Sequence, residues 1–201
     1  ALPSVLVIHS SIPAGNLKEF IAYAKQKGGE ITCASHGLGS FNHLACMQFN
    51  EATGTQMTHV PYKGASQVNL DLLPGRVLVY FAVLPTVLSH IQNGQLKALA
   101  TGDEVRLKPL PQVPTLREAG VPGITISQWN ALFVRAGTPE PVLIRLREAT
   151  ARILRKPDVI AKIDATGSVM RDMTAAELGR MTAGEYSLYQ TLSQRYDIKM
   201  E

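Results

Sequence analysis

The sequence is short of cysteine, tryptophan and long apolar runs. It holds two cysteines, Cys33 and Cys46, and one tryptophan, Trp129, in 201 residues. A dense disulfide framework is thereby excluded, and two cysteines fix no compartment. Their apolar neighbours favour buried free thiols over a bridge. The apolar runs at 4–8 and 78–84 are strand-sized, too short to cross a bilayer as a helix. No charged region precedes a hydrophobic stretch at Ala1, so no leader is read there. Either it has been removed or the chain starts inside a longer product.

Signals for catalysis and for phosphate are missing too. There is no Gly-Lys-Ser/Thr ending of a P-loop, and Gly37-Leu38-Gly39 lacks the third glycine of a dinucleotide fingerprint. His36, His43, His59 and His90 show neither His-x-x-x-His nor Glu-x-x-His spacing, so no zinc site is announced. Gly37-Leu38-Gly39-Ser40 is not a Gly-x-Ser-x-Gly nucleophile elbow. Cys33 lies in an apolar segment that keeps its thiol protonated, which weakens any pairing with His43. No catalytic residue, metal or cofactor is expected. Net charge is +4, but Lys18, Lys25, Lys63, Arg106, Lys108, Arg145 and Arg152 are scattered without interleaved aromatics, so nucleic acid is not expected as a partner. A mildly basic surface suits acidic small molecules by steering.

What is present is enough apolar sequence, 45% of the chain, for a substantial core in one or two domains. The chemistry centres on a bend of small residues. Ala34-Ser35-His36-Gly37-Leu38-Gly39-Ser40-Phe41-Asn42-His43 follows the β-type Glu30-Ile31-Thr32-Cys33 and runs into a helical pattern. A helix start leaves backbone N–H groups without intrahelical partners, and these suit a negatively charged ligand. Gly37 and Gly39 permit tight or left-handed backbone and a close approach to the main chain. Ser35 and Ser40 add hydroxyls that donate to an acceptor or cap the helix, and His43 falls one turn in. The pattern fits equally an ordinary strand-to-helix turn in which Ser40 is only the cap.

The remainder alternates. Residues 5–9, 31–34, 58–60, 77–82 and 96–100 read as strands, with helices from the Asn16-x-x-Glu19 capping box to about Lys25, over 41–51, over 66–73 and from Pro85 to Ile91. Such alternation predicts an α/β fold with a mostly parallel sheet flanked by helices. Beyond the proline-rich residues 108–114, Thr115-x-x-Glu118 predicts a short helix, and 124–134 is a long β-prone segment. Thr138 then caps a helix with Pro139 in its first turn, Pro157 opens another to about Ala165, and Thr174-x-x-Glu177 caps a last one to about Tyr196.

Further landmarks stand in order along the chain: Pro13 with Leu17-Lys18-Glu19-Phe20-Ile21, the Ser35 to His43 bend, His59-Val60-Pro61-Tyr62-Lys63-Gly64, Leu84-Pro85, His90-Ile91-x-x-Gly94, Val113-Pro114-Thr115-x-x-Glu118-Ala119-Gly120, Trp129 and Ala136-Gly137-Thr138-Pro139. Taken together they resemble the extracytoplasmic solute receptors of tripartite tricarboxylate transporters, the Bug receptors. The resemblance implies a two-lobed, type II periplasmic-binding-protein-like fold, a periplasmic location, a small carboxylate ligand (a di- or tricarboxylate or related organic acid) and a membrane permease that accepts it.

Carried onto this sequence, the resemblance makes residues 12–125 the ligand-clamp lobe, 1–11 and 126–137 the crossing segments, and 138–201 helices that pack on a first lobe. The bend Ser35, His36, Gly37, Gly39 and Ser40 becomes half of a carboxylate clamp. Tyr62 and Lys63 reach the rim, or Lys63 is a solvated loop charge. Ala82 and Val83 stand where many members carry aspartate and asparagine, so a plain carboxylate is expected over an amine-bearing ligand. His36 donates to a second carboxylate or is a solvated turn residue. His43 lies in the site or is structural, one ring nitrogen on backbone. Trp129 is a lid or a hinge-core residue. The first-lobe sheet that the resemblance implies has no counterpart in the sequence, so a homodimer or segment exchange is expected through Leu143, Leu146, Ile153, Leu178, Met181, Tyr186 and Leu192. The alternative is a receptor lobe kept as an interaction or sensor module.

Overall fold

The computed structural model describes residues 2–124 and 128–198. Strands β1 (Ser4–His9), β2 (Thr32–Ser35), β3 (Thr58–Pro61), β4 (Val79–Val83) and β5 (Leu96–Thr101) form one sheet in the order β3-β2-β4-β1-β5. β2 runs parallel to β3 and β4, whereas β1 runs antiparallel to β4 and β5. Four strands thus share a direction and β1 opposes them, which refines the parallel expectation. Strands buried on both faces read as continuous apolar runs whichever way they point, so the pattern carried no direction for β1.

Side chains alternate between two cores, as the two-residue period of a strand requires. Leu6, Ile8 and Phe81 face one layer with Phe20 of α1 (Leu17–Lys27) and Phe49 of α2 (Phe41–Thr53). Val5, Val7, Tyr80 and Ala82 face the other, with Val68 and Leu72 of α3 (Ala65–Leu72) and Ile91 of α4 (Leu88–Gln92). Asn16 caps α1 by accepting from the Glu19 N–H at 2.9 Å. Within the first layer, Cys33 of β2 and Cys46 of α2 form a disulfide with Cα atoms 6.6 Å apart. This corrects the free thiols expected. Apolar neighbours bury a bridge as readily as two thiols, and the strand-to-helix connection packs α2 back onto β2 so that the two side chains meet.

Other departures have local causes. Thr115 and Glu118 do exchange capping-box bonds, at 2.8 and 3.1 Å, yet only turns follow. Thr101 of β5 donates to the Pro114 carbonyl and accepts from the Leu116 N–H, which holds the segment against the sheet edge. Pro85 opens a 3₁₀ turn, and the α-helix begins only at Leu88. Helix α5 (Glu140–Leu154) starts after Pro139, because the Thr138 hydroxyl donates to the Arg135 carbonyl instead of capping. Of the expected strand at 124–134, residues 125–127 lie outside the described residues. Gln128 makes one antiparallel bridge to Leu2, and 129–134 finds no ladder partner among the described residues, with Leu132 80% and Phe133 66% exposed.

Helices α6 (Pro157–Ala165) and α7 (Ala175–Arg195) follow, the latter with the full Thr174–Glu177 capping box. Among the described residues α5 and α6 bury no side chain completely, and α7 buries only Leu192. Of the apolar stripe, Leu146, Ile153 and Tyr186 are exposed, while Leu143, Leu178 and Met181 are half-buried.

Candidate functional site

The registers place Ser35, Pro61, Val83 and Thr101, the last residues of four strands, at one end of the sheet. In open α/β sheets ligands gather outside the carboxyl ends of strands. The glycine bend leaves β2 at that end, with Gly37 at φ 120° and Gly39 at φ 72°, backbone that L side chains rarely adopt.

The bend is built on Ser35 and Ser40. Buried Ser35 donates its hydroxyl to the Gly37 carbonyl at 3.0 Å and accepts from the Gly37 N–H at 3.1 Å. With that hydrogen committed, His59 Nε2–H of β3 donates to Ser35 Oγ at 2.5 Å. Ser40 donates to the Gly37 carbonyl at 2.7 Å and caps α2 by accepting the His43 N–H at 3.4 Å. His43 Nδ1 accepts the Gly39 N–H at 3.1 Å, and its ring stacks on His59 with centroids 3.9 Å apart. The structural reading of His43, a ring nitrogen on backbone, is therefore present in the structure. His36 is no solvated turn residue: its Nε2 is bonded to the Tyr80 hydroxyl, and its ring lies edge-on to Phe41.

These bonds correct the open fan of amides read from sequence. The Gly37, Gly39 and Ser40 N–H groups are satisfied within the bend, by the Ser35 hydroxyl, the His43 ring and the Gly37 carbonyl. Those of Leu38, Phe41 and Asn42 have no hydrogen-bond partner among the described residues. The bend is not sealed, since Leu38 is 59% exposed. Asn42 itself is buried, donates to the Phe81 carbonyl at 2.6 Å and leaves its side-chain oxygen unpartnered. Burial holds His36 and His43 below the usual imidazole range, and burial together with nearby His43 brings His59 to about 4. Neutral imidazoles, hydroxyls and amides therefore line the bend.

Other candidates lie apart. Tyr62 donates its N–H to the Ser35 carbonyl but turns its hydroxyl to Asp71 of α3 at 3.0 Å. Lys63 is exposed beyond β3, its N–H given to Gln67. Ala82 is fully buried in the second core, paired with Val5, and presents no surface to a ligand. Trp129 donates to Glu185 of α7 at 2.7 Å and packs on Phe133. His59 and Tyr80 join the site in the structure although no site role is expected of them from sequence. The signal for His59 was its position on the strand beside Ser35. Among the described residues no three His, Cys, Asp or Glu side chains gather as a metal requires, and no helix is long and apolar enough to cross a membrane.

The profile of the tripartite tricarboxylate transporter family receptor matches residues 1–196. The chain belongs to that family. It is one of solute receptors, not of enzymes. Protein BugT of Bordetella pertussis is 34% identical over 167 residues, 83% of this chain and 51% of BugT. Among solved structures, R. palustris Rpa4515 with adipate superposes with TM-score 0.89 at 28% identity, covering 98% of this chain and 66% of that one. MatC from Rhodopseudomonas palustris with bound malate gives 0.84 at 28%, covering 95% and 66%. The fold of this receptor-family chain is thus type II periplasmic-binding-protein-like, as its sequence resemblance implied. The chain spans about half the length of BugT and about two thirds of the two solved receptors.

Proposed function

We propose that the chain is an extracytoplasmic solute receptor that captures a small carboxylate, a di- or tricarboxylate or related organic acid, for the permease of a tripartite tricarboxylate-type transporter. The observation that carries this reading is the bend after β2. Its Leu38 and Phe41 amides, on residues that are not buried, have no hydrogen-bond partner among the described residues and stand at the N-terminus of α2, beyond the carboxyl ends of the strands, where partial positive charge favours an anion. Adipate and malate in the related receptors supply the ligand class.

Ser35, His36, Gly37, Gly39, Ser40 and His43 form half of the clamp within residues 12–125. Residues 1–11 and 126–137 act as crossing segments, a role supported by the Leu2–Gln128 bridge. Residues 138–201 pack on a further lobe, and Tyr62 and Lys63 flank the rim. The Cys33–Cys46 disulfide suits the oxidising periplasm.

Calorimetry with adipate, malate and citrate tests the reading. The amides of the bend alone supply few hydrogen bonds, so affinity in the millimolar range is expected of them, about 4 kcal/mol of binding free energy. Saturable heat with any member supports a working receptor. Silence across the panel would favour the interaction-module alternative.

A further inference from the structure

His43 occupies the bend that it supports. Its Nδ1 accepts the Gly39 N–H, so that nitrogen carries no proton and the Gly39 amide is spent on the ring. Resting on the carboxylate reading above, we propose that a captured carboxylate takes over the Gly39 amide, while the released His43 Nδ1 binds one proton from solvent and donates it as a hydrogen bond to the captured oxygen. Capture is thereby linked to proton uptake, and affinity rises as pH falls.

The geometry favours this exchange over simple displacement. A neutral ring would turn a lone pair toward the anion, whereas the imidazolium makes a charge-assisted bond. The pair accepts one proton and not two, because His59 lies stacked at 3.9 Å and a second charge would repel the first. Of the other elements packed against α2, α1 meets it through Phe20 and Phe49 and carries Lys18, Glu19, Tyr23, Lys25 and Lys27, of which Glu19 is bonded to Gly15 and Asn16 and Lys27 to Glu30. β4 contributes Tyr80, which is bonded to His36 of the bend, and β2 contributes none, Cys33 being in the disulfide. On α2 itself the only charge is Glu51, in its last turn, held by Arg195 and Tyr196 at the C-terminal end of α7. The proton is therefore left to His43. Burial holds His43 low in the free chain, and a carboxylate beside it raises it. Uptake falls between those two values, and affinity levels off below the lower one.

The test follows the His43 ring nitrogens by NMR in the full wild-type chain, with malate and with adipate, from about pH 8.5 down to about pH 6, above the ordinary carboxyl value of ~4. The expected result is a protonated Nδ1 in the complex at pH values where the free ring is neutral, with an affinity gain approaching about tenfold per pH unit. His43→Gln, which keeps an acceptor for Gly39, is expected to bind with a flat pH profile. Binding with a neutral His43 throughout, or an unchanged profile in H43Q, overturns the proposal and leaves the carboxylate reading standing. Failure of both acids to shift any resonance of the bend overturns the two together.

Discussion

His59 Nε2 stands 2.5 Å from Ser35 Oγ, across the parallel pair β2 and β3, and ties one strand to the residue from which the glycine bend departs on the other. The donating Nε2–H is present in the neutral ring and in the cation alike, so it is burial beside His43 that disfavours the charged ring and holds His59 at about 4, a neutral state that contributes to stability. As pH falls, the unfolded chain binds its proton first, near the ordinary 6.5. The contribution is complete above about pH 6.5 and is lost progressively toward about pH 4. Thermal melts should show stability falling through that window, and His59→Asn should flatten part of the fall. Identical pH dependence in the variant would contradict the assignment.

Gly39 sits at φ 72°, so Gly39→Val should cost about 1–3 kcal/mol in backbone strain and abolish carboxylate binding. Ser40 caps α2, and Ser40→Ala should cost about 0.5–2 kcal/mol of stability. Urea unfolding with parallel ligand titration separates the two effects. A Ser40→Ala loss confined to affinity would place the hydroxyl on the ligand instead of on the helix.

The Cys33–Cys46 bridge closes a loop with a sequence separation of 13. Loop-closure entropy for a ring of this size is worth about 3 kcal/mol, so reductant should lower the melting temperature measurably. Alkylation of the denatured, unreduced chain should find no reactive thiol. Labelling of both cysteines would restore the free-thiol reading.

Much of this was readable from local chemistry. The bend announced itself because Gly37, Gly39 and Ser40 encode backbone geometry and a cap within a few residues. The Asn16 and Thr174 caps did the same for α1 and α7. Contacts set by sheet register were not readable. The His36–Tyr80 and Ser35–His59 pairs join residues 44 and 24 apart, and the pairing of Ser35 with Gly37 spends an amide that the sequence alone leaves open. Over 129–134 the expected strand does not form, for a related reason. β-prone side chains make a strand only beside another strand's edge, and beyond Gln128 none is present among the described residues.

Leu132, Phe133, Leu146, Ile153 and Tyr186 leave a large apolar area uncovered, so self-association is expected. Light scattering should report a mass that grows with concentration, and Leu132→Asp with Phe133→Asp should reduce it. A monodisperse monomer at high concentration would contradict the expectation.

The bend between β2 and α2 is proposed to hold a carboxylate by main-chain amides, and each of those amides gives its own signal. Backbone NMR during a malate titration tests it most directly. Saturable shifts of the Leu38 and Phe41 amide signals are expected, largest there and abolished by Gly39→Val. Saturable shifts confined to other parts of the chain, with the Leu38 and Phe41 amides unmoved, would remove the bend from the site.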